Sequence, residues 1–243
     1  MPKRLICCVS LPPATRLCVP IYDFAVANEE LAAEDMETYY ACCGMEICKG
    51  CIYSFCKSGN DDKCPFCNSD RASTPHEEQV NDIRKRVAAN DPTSICMLAG
   101  FHQDGRASLQ QDQAKAIELF IKSAELGYSE AHCSLGSIYH EGGYIKKAKF
   151  HFEAAAMAGS EAARCNLGVM EANSGNMEHA VKHWNIAASA GCYRAMYHLI
   201  SCFKKGAVSR ESVDSTLAAY NSSCAEMRSE ARDAASRIMA EAD

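Results

Sequence analysis

No stretch of this sequence is apolar over the roughly 18 residues that a membrane span requires, so no membrane partner is expected. A basic excess is missing too. Its 25 lysines and arginines stand against 31 acidic residues, and acidic residues outnumber basic ones on both sides of residue 73. Neutralising phosphates takes a basic surface, so no nucleic-acid partner is expected. The runs Arg84-Lys85-Arg86 and Lys146-Lys147-Ala148-Lys149 are read as solvated helix faces. Enzyme signatures are missing as well: there is no P-loop, no dinucleotide fingerprint and no serine elbow. His179 and His183 are four apart on a helix, but Ala180 stands where a zinc protease has its glutamate, so they read as surface residues. No catalytic residue is assigned.

The N-terminus has only the outline of a signal peptide. Met1-Pro2-Lys3-Arg4 precedes an apolar run, Leu5 to Leu11, that stops at Pro12-Pro13. Export is not expected, and a cytoplasmic or nuclear location is. The sixteen cysteines should then be reduced, serving as metal ligands or small buried side chains. Pro2, Pro12, Pro13 and Pro20 leave residues 1–41 without a regular pattern, apart from a short acidic helix expected near Glu29 to Glu34.

What the chain has in plenty is cysteine between residues 42 and 67. Cys42-Cys43-Gly44 is followed by Cys48-Lys49-Gly50-Cys51 and, twelve residues on, by Cys64-Pro65-Phe66-Cys67. Cysteines two residues apart on a tight turn bind one tetrahedral zinc from the same side. The apolar content of this window is small: Ile47, Ile52, Tyr53, Phe55 and Phe66. Zinc can replace a missing core, since a structural site contributes about 10–16 kcal/mol in small domains.

The window resembles a RING finger, the zinc module of many ubiquitin ligases. The resemblance rests on Cys43-Gly44, Ile47-Cys48, Cys51 and the Cys64-Pro65-Phe66-Cys67 ending. It implies a cross-brace in which Cys42, Cys43, Cys64 and Cys67 hold one Zn2+. Cys48 and Cys51 then hold a second with upstream ligands, for which Cys18 is the candidate, with Cys7 or Cys8. The family's first Cys-x-x-Cys pair is absent, because Val19, Pro20 and Ile21 follow Cys18. Two adjacent cysteines on one metal also demand a bent backbone at Cys42-Cys43. The resemblance implies a ubiquitin-conjugating enzyme as partner, met by Ile52, Phe55, Pro65 and Phe66. The same four residues read equally well as the module's own small core.

Beyond a polar joint at 68–75 the chain becomes helical. Thr74 and Glu77 form a capping box with Pro75 at the first helical position, and Val80, Ile83 and Val87 make an apolar stripe ending near Asn90. Asp91-Pro92 opens the next helix. Residues then recur every 32 positions: Gly127, Gly159 and Gly191; Ala131, Ala163 and Ala195; Leu135, Leu167 and Leu199; Phe120, Phe152 and Trp184. A period of this length with two helices per unit means stacked helix hairpins. The first unit is five residues longer, in the loop Gly105 to Gln111. Cys96, Cys133 and Cys165 hold one register and read as small core residues. Residues from about Ser209 to Ala240 read as one long capping helix, with Val213, Leu217, Tyr220, Cys224, Met227, Ala231 and Ile238 on its stripe.

The pattern is similar to Sel-one-like repeats, relatives of the tetratricopeptide repeat, on Leu135-Gly136, Tyr139, Gly142, Lys147-Ala148 and Glu153-Ala154-Ala155. Glu171 replaces the tyrosine in the third unit and Ile200 the glycine in the fourth. The likeness implies a scaffold that binds a partner protein along the repeats. The expected protein is therefore mainly α. It has an irregular segment at 1–41, a RING-like zinc module at 42–70 reaching back towards 18 and a linking helix at 74–90. A repeat solenoid at 91–208 and a capping helix at 209–243 follow. Two functions are expected of such a chain: a zinc-dependent ubiquitin ligase whose repeats choose the substrate, or a non-enzymatic adaptor in which zinc only folds the N-terminal module.

Overall fold

The computed structural model describes residues 37–40, 42–48, 51–52, 55–60, 63–68 and 76–227. The acidic helix expected near residue 30, the Thr74 cap, Cys7, Cys8, Cys18 and the helix beyond Met227 lie outside the described residues. The described chain forms two compact units that divide between Ala131 and His132.

The first unit opens with a hairpin that the sequence reading does not anticipate. Strand β1 (Glu37–Tyr40) pairs antiparallel with β2 (Met45–Cys48), in the register Glu37 with Cys48 and Tyr40 with Met45. Threonine and two tyrosines favour extended backbone, and the turn at Cys42–Gly44 reverses the chain. Three helices follow. Helix α1 (His76–Ala88) buries Val80 and Ile83 and ends before Asn90, which adopts φ 58°. Helix α2 (Pro92–Asp104) starts behind Asp91, whose carboxylate accepts from the Ser94 hydroxyl at 2.8 Å instead of from a backbone amide. Helix α3 (Gln113–Glu125) is capped by Asp112, which accepts from the Lys115 N–H at 3.0 Å. The buried Ser123 hydroxyl donates to the Pro92 carbonyl at 2.7 Å and so ties α3 to the start of α2. The five extra residues of this hairpin are taken up between α2 and α3, where Ala107 and Ser108 adopt positive φ.

The second unit continues the hairpins. Helices α4 (Ser129–Glu141), α5 (Ile145–Met157), α6 (Glu161–Asn173), α7 (Met177–Ser189), α8 (Tyr193–Lys204) and α9 (Arg210–Met227) follow one another. Gly127, Gly159 and Gly191, at φ 86°, 95° and 96°, take the left-handed conformation that ends every second helix. Between helices the repeat works by size. A Cβ on Gly136 would lie 2.6 Å from the Phe152 ring, and one on Gly168 would lie 2.6 Å from Cδ1 of Trp184. Glycine on α4 and α6 thus makes the hole that the aromatic of α5 and α7 fills. Phe152, Ala155, Ala163 and Leu167 form one core cluster, and Trp184, Ala187, Ala195 and Leu199 another. Each fully buried Phe or Leu contributes about 1.5–3 kcal/mol.

Cys96, Cys133 and Cys165 are buried as their register implies. Two expectations change here. His183 is not a surface residue: it is half-buried, its Nδ1 is out of solvent, and burial holds its pKa below the usual histidine range. On α9 the stripe shifts, with Leu217 38% exposed and Thr216 only 7%. Thr216 occupies the register of Phe152 and Trp184. Its hydroxyl lies 3.1 Å from the Asn185 side-chain oxygen and 2.9 Å from the Ser212 carbonyl. In this last hairpin the sizes are exchanged, Ile200 standing for glycine and Thr216 for the aromatic.

Candidate metal centre

Two short turns build the centre. In the first, the Tyr40 carbonyl accepts from the Cys43 N–H at 3.2 Å and the Gly44 N–H at 2.7 Å. Gly44 has φ 72°, which supplies the bend that two adjacent ligands demand. In the second, the Asn68 N–H donates to the Cys64 carbonyl at 3.0 Å, and Asn68 takes φ 59°, a conformation asparagine tolerates. These turns bring Cys42, Cys43, Cys64 and Cys67 together, with all four Sγ atoms within 4.8 Å of one another. The Cys43–Cys64 and Cys42–Cys67 sulfurs are each 3.6 Å apart. Tetrahedral Zn–S bonds of about 2.3 Å put sulfurs roughly 3.8 Å apart, so the four thiols are already grouped at near-ligand spacing.

Cys64 is buried, Cys43 half-buried, and Cys42 and Cys67 face solvent. Burial pushes the Cys43 thiol up to about 12. A metal must displace that proton, so binding releases protons and weakens as pH falls. An all-sulfur, four-donor set suits zinc.

The remaining candidates are placed differently. Cys51 is buried against Tyr40 and Cys64, beside Cys43 and Ile52, in the module's small core. The backbone of Cys48 ends β2; its side chain and Cys18 lie outside what is described. Among the described residues no second cluster of three or more metal-ligating groups is gathered. Ile52 packs inward on the same core, and Phe55 and Pro65 are half-buried. Phe66 stays 42% exposed, its ring edge-to-face with Tyr40 at 6.1 Å.

One residue at the centre escapes sequence reasoning. Arg86, assigned with Arg84 and Lys85 to a solvated face, is half-buried, and its Nη2 donates to the Cys42 carbonyl at 3.2 Å. Nothing in the local sequence separates it from its two basic neighbours.

Comparison with known proteins bears on the repeats. The Sel1 repeat family model matches residues 92–128, 129–160 and 162–192, which cover α2 to α7 and leave the cysteine window outside the match. A Sel1 repeat protein from Oxalobacter formigenes is similar in structure, with TM-score 0.53 and 20% identity over 72% of this chain and 71% of that one. A protective antigen of uropathogenic Escherichia coli strains, displaying an SLR fold, gives TM-score 0.50 and 20% identity. That match covers 78% of this chain and 43% of the antigen. No curated protein matches the sequence. At this identity the likeness is one of fold: residues within 92–192 carry Sel1 repeats in a helix-hairpin solenoid.

Proposed function

We propose that the protein is a protein-interaction scaffold in which a Sel1 repeat array follows a zinc-stabilised cysteine module. The repeat array carries this reading. Its helices leave apolar surface unspent, among them α8, where Tyr193, Tyr197 and Ile200, at successive turns, are 44%, 60% and 37% exposed. The test is cross-linking of the full chain to its partners in cells, with identification by mass spectrometry. A recurrent partner lost with the double change Tyr193→Ser and Tyr197→Ser, while circular dichroism is unchanged, supports the scaffold. No recurrent partner counts against it.

A ubiquitin-ligase reading has one observation in its favour. The gathered cysteines are those of the RING-like second zinc site, and Phe66 is exposed between Cys64 and Cys67. Against it stands the missing first Cys-x-x-Cys pair, since Val19, Pro20 and Ile21 follow Cys18. Under this reading a conjugating enzyme binds the wild type, and Pro65→Ala weakens the binding. No binding across a broad panel leaves the adaptor.

A further inference from the structure

Helix α1 carries a cation to the metal turn. Val80 and Ile83 are buried on it, and Arg86 follows three residues after Ile83, in the last turn of the helix. There its charge is favoured by the helix dipole. The guanidinium lies against the turn itself: a Cβ on Gly44 would sit 2.7 Å from the Arg86 Cζ and 3.2 Å from its Nε. Gly44 is favoured by its φ of 72°, and the guanidinium occupies the room that its missing side chain leaves. The same side chain holds the carbonyl of Cys42 at 3.2 Å, so it fixes the backbone of two candidate ligands at once.

We propose that Arg86 is a positioning residue of the metal centre and couples metal binding to the docking of α1. This rests on the zinc reading given above. Four thiolates around a divalent ion leave a formal charge of about −2. A guanidinium held on the ligand turn offsets that charge and keeps the turn bent. Outer-shell partners of this kind change metal affinity by roughly 10–100-fold when they are removed. The coupling runs both ways: the metal fixes the turn that α1 grips, and α1 fixes the turn that grips the metal.

The experiment uses the full chain with Arg86→Met and Arg86→Lys. Zinc transfer to a chromophoric chelator is timed, hydrogen exchange is followed over residues 76–90, and the thiolate-to-cobalt absorption is recorded on the Co2+ form. Arg86→Met should release zinc about 10–100-fold faster. It should also shift the cobalt bands and lose protection over α1 even when zinc is bound, with the helicity of the repeats unchanged. Arg86→Lys keeps the charge without the flat contact and should fall between the two. Wild-type protein that holds zinc, with Arg86→Met releasing it at the same rate and equal protection in α1, overturns the coupling and leaves the zinc reading intact. Wild-type protein that takes up no zinc overturns both.

Discussion

Gly168 and Gly100 both sit inside helices, yet a methyl group means opposite things at the two positions. At Gly168 it would enter the Trp184 indole, whose N–H donates to the Cys165 carbonyl at 3.3 Å and so resists moving aside. Gly168→Ala should lower stability by about 1–3 kcal/mol, the usual penalty for overpacking. At Gly100 nothing lies within 4 Å of the added carbon. Gly100→Ala should be neutral or stabilise by up to about 1 kcal/mol through helix propensity. Denaturant unfolding of the two variants checks the pair, and equal effects would show that the glycine–aromatic fit does not set the repeat. Glu171 shows the same dependence on surroundings. It replaces the repeat's tyrosine and accepts from Lys149 at 2.6 Å and from Asn176 at 3.0 Å. These partners, Lys149 first, hold its carboxyl below the usual range.

Between elements, α4 and α5 meet through a histidine pair. Nδ1 of His132 and Nδ1 of His151 are 3.0 Å apart, and the Tyr139 ring stacks on His151 at 5.4 Å. Burial, then the neighbouring His132 and Lys147, pull His151 down to about 4 from an ordinary 6.5. The unfolded chain therefore takes up the His151 proton first as the solution is acidified. The contribution is fully present above pH 6.5 and is lost progressively as pH falls towards about 4. His151→Gln should flatten the acid side of a plot of unfolding midpoint against pH across that window; an unchanged slope would mean His151 is not the group that titrates. The hairpin at 37–48 belongs to this scale as well. Its strands are four residues each, too short for alternation to announce, and cysteine dominates the turn between them.

At the scale of the whole chain, the metal and the repeats draw on different sources of stability. The cysteine module has a core of Tyr40, Cys51 and Cys64, with Cys43 and Ile52 against it. Under the zinc reading the metal adds to this small core, whereas the repeats have clusters of buried alanine, leucine and aromatic side chains of their own. Chelation should therefore open the module, seen as rapid proteolysis within 37–68, and leave the helical circular dichroism of the repeats nearly unchanged. Elemental analysis should give one zinc per chain from the four gathered cysteines, falling to none with Cys64→Ser. Two zincs per chain would show that cysteines beyond those four complete a second site.

The 32-residue recurrence by itself determined the helix hairpins, the glycine ends and the shared register of Phe120, Phe152 and Trp184. These are local and periodic requirements, and each unit repeats them. The cysteine spacing by itself marked the window from Cys42 to Cys67 as a metal module, and the likeness to a RING finger grouped Cys42, Cys43, Cys64 and Cys67 into one site. Only the tertiary structure decided that Thr216 is buried while Leu217 is exposed on α9, and that Arg86 leaves its basic run to hold the Cys42 turn. Each of those depends on a neighbour brought close by folding, and in the case of Arg86 that neighbour is 44 residues away in sequence.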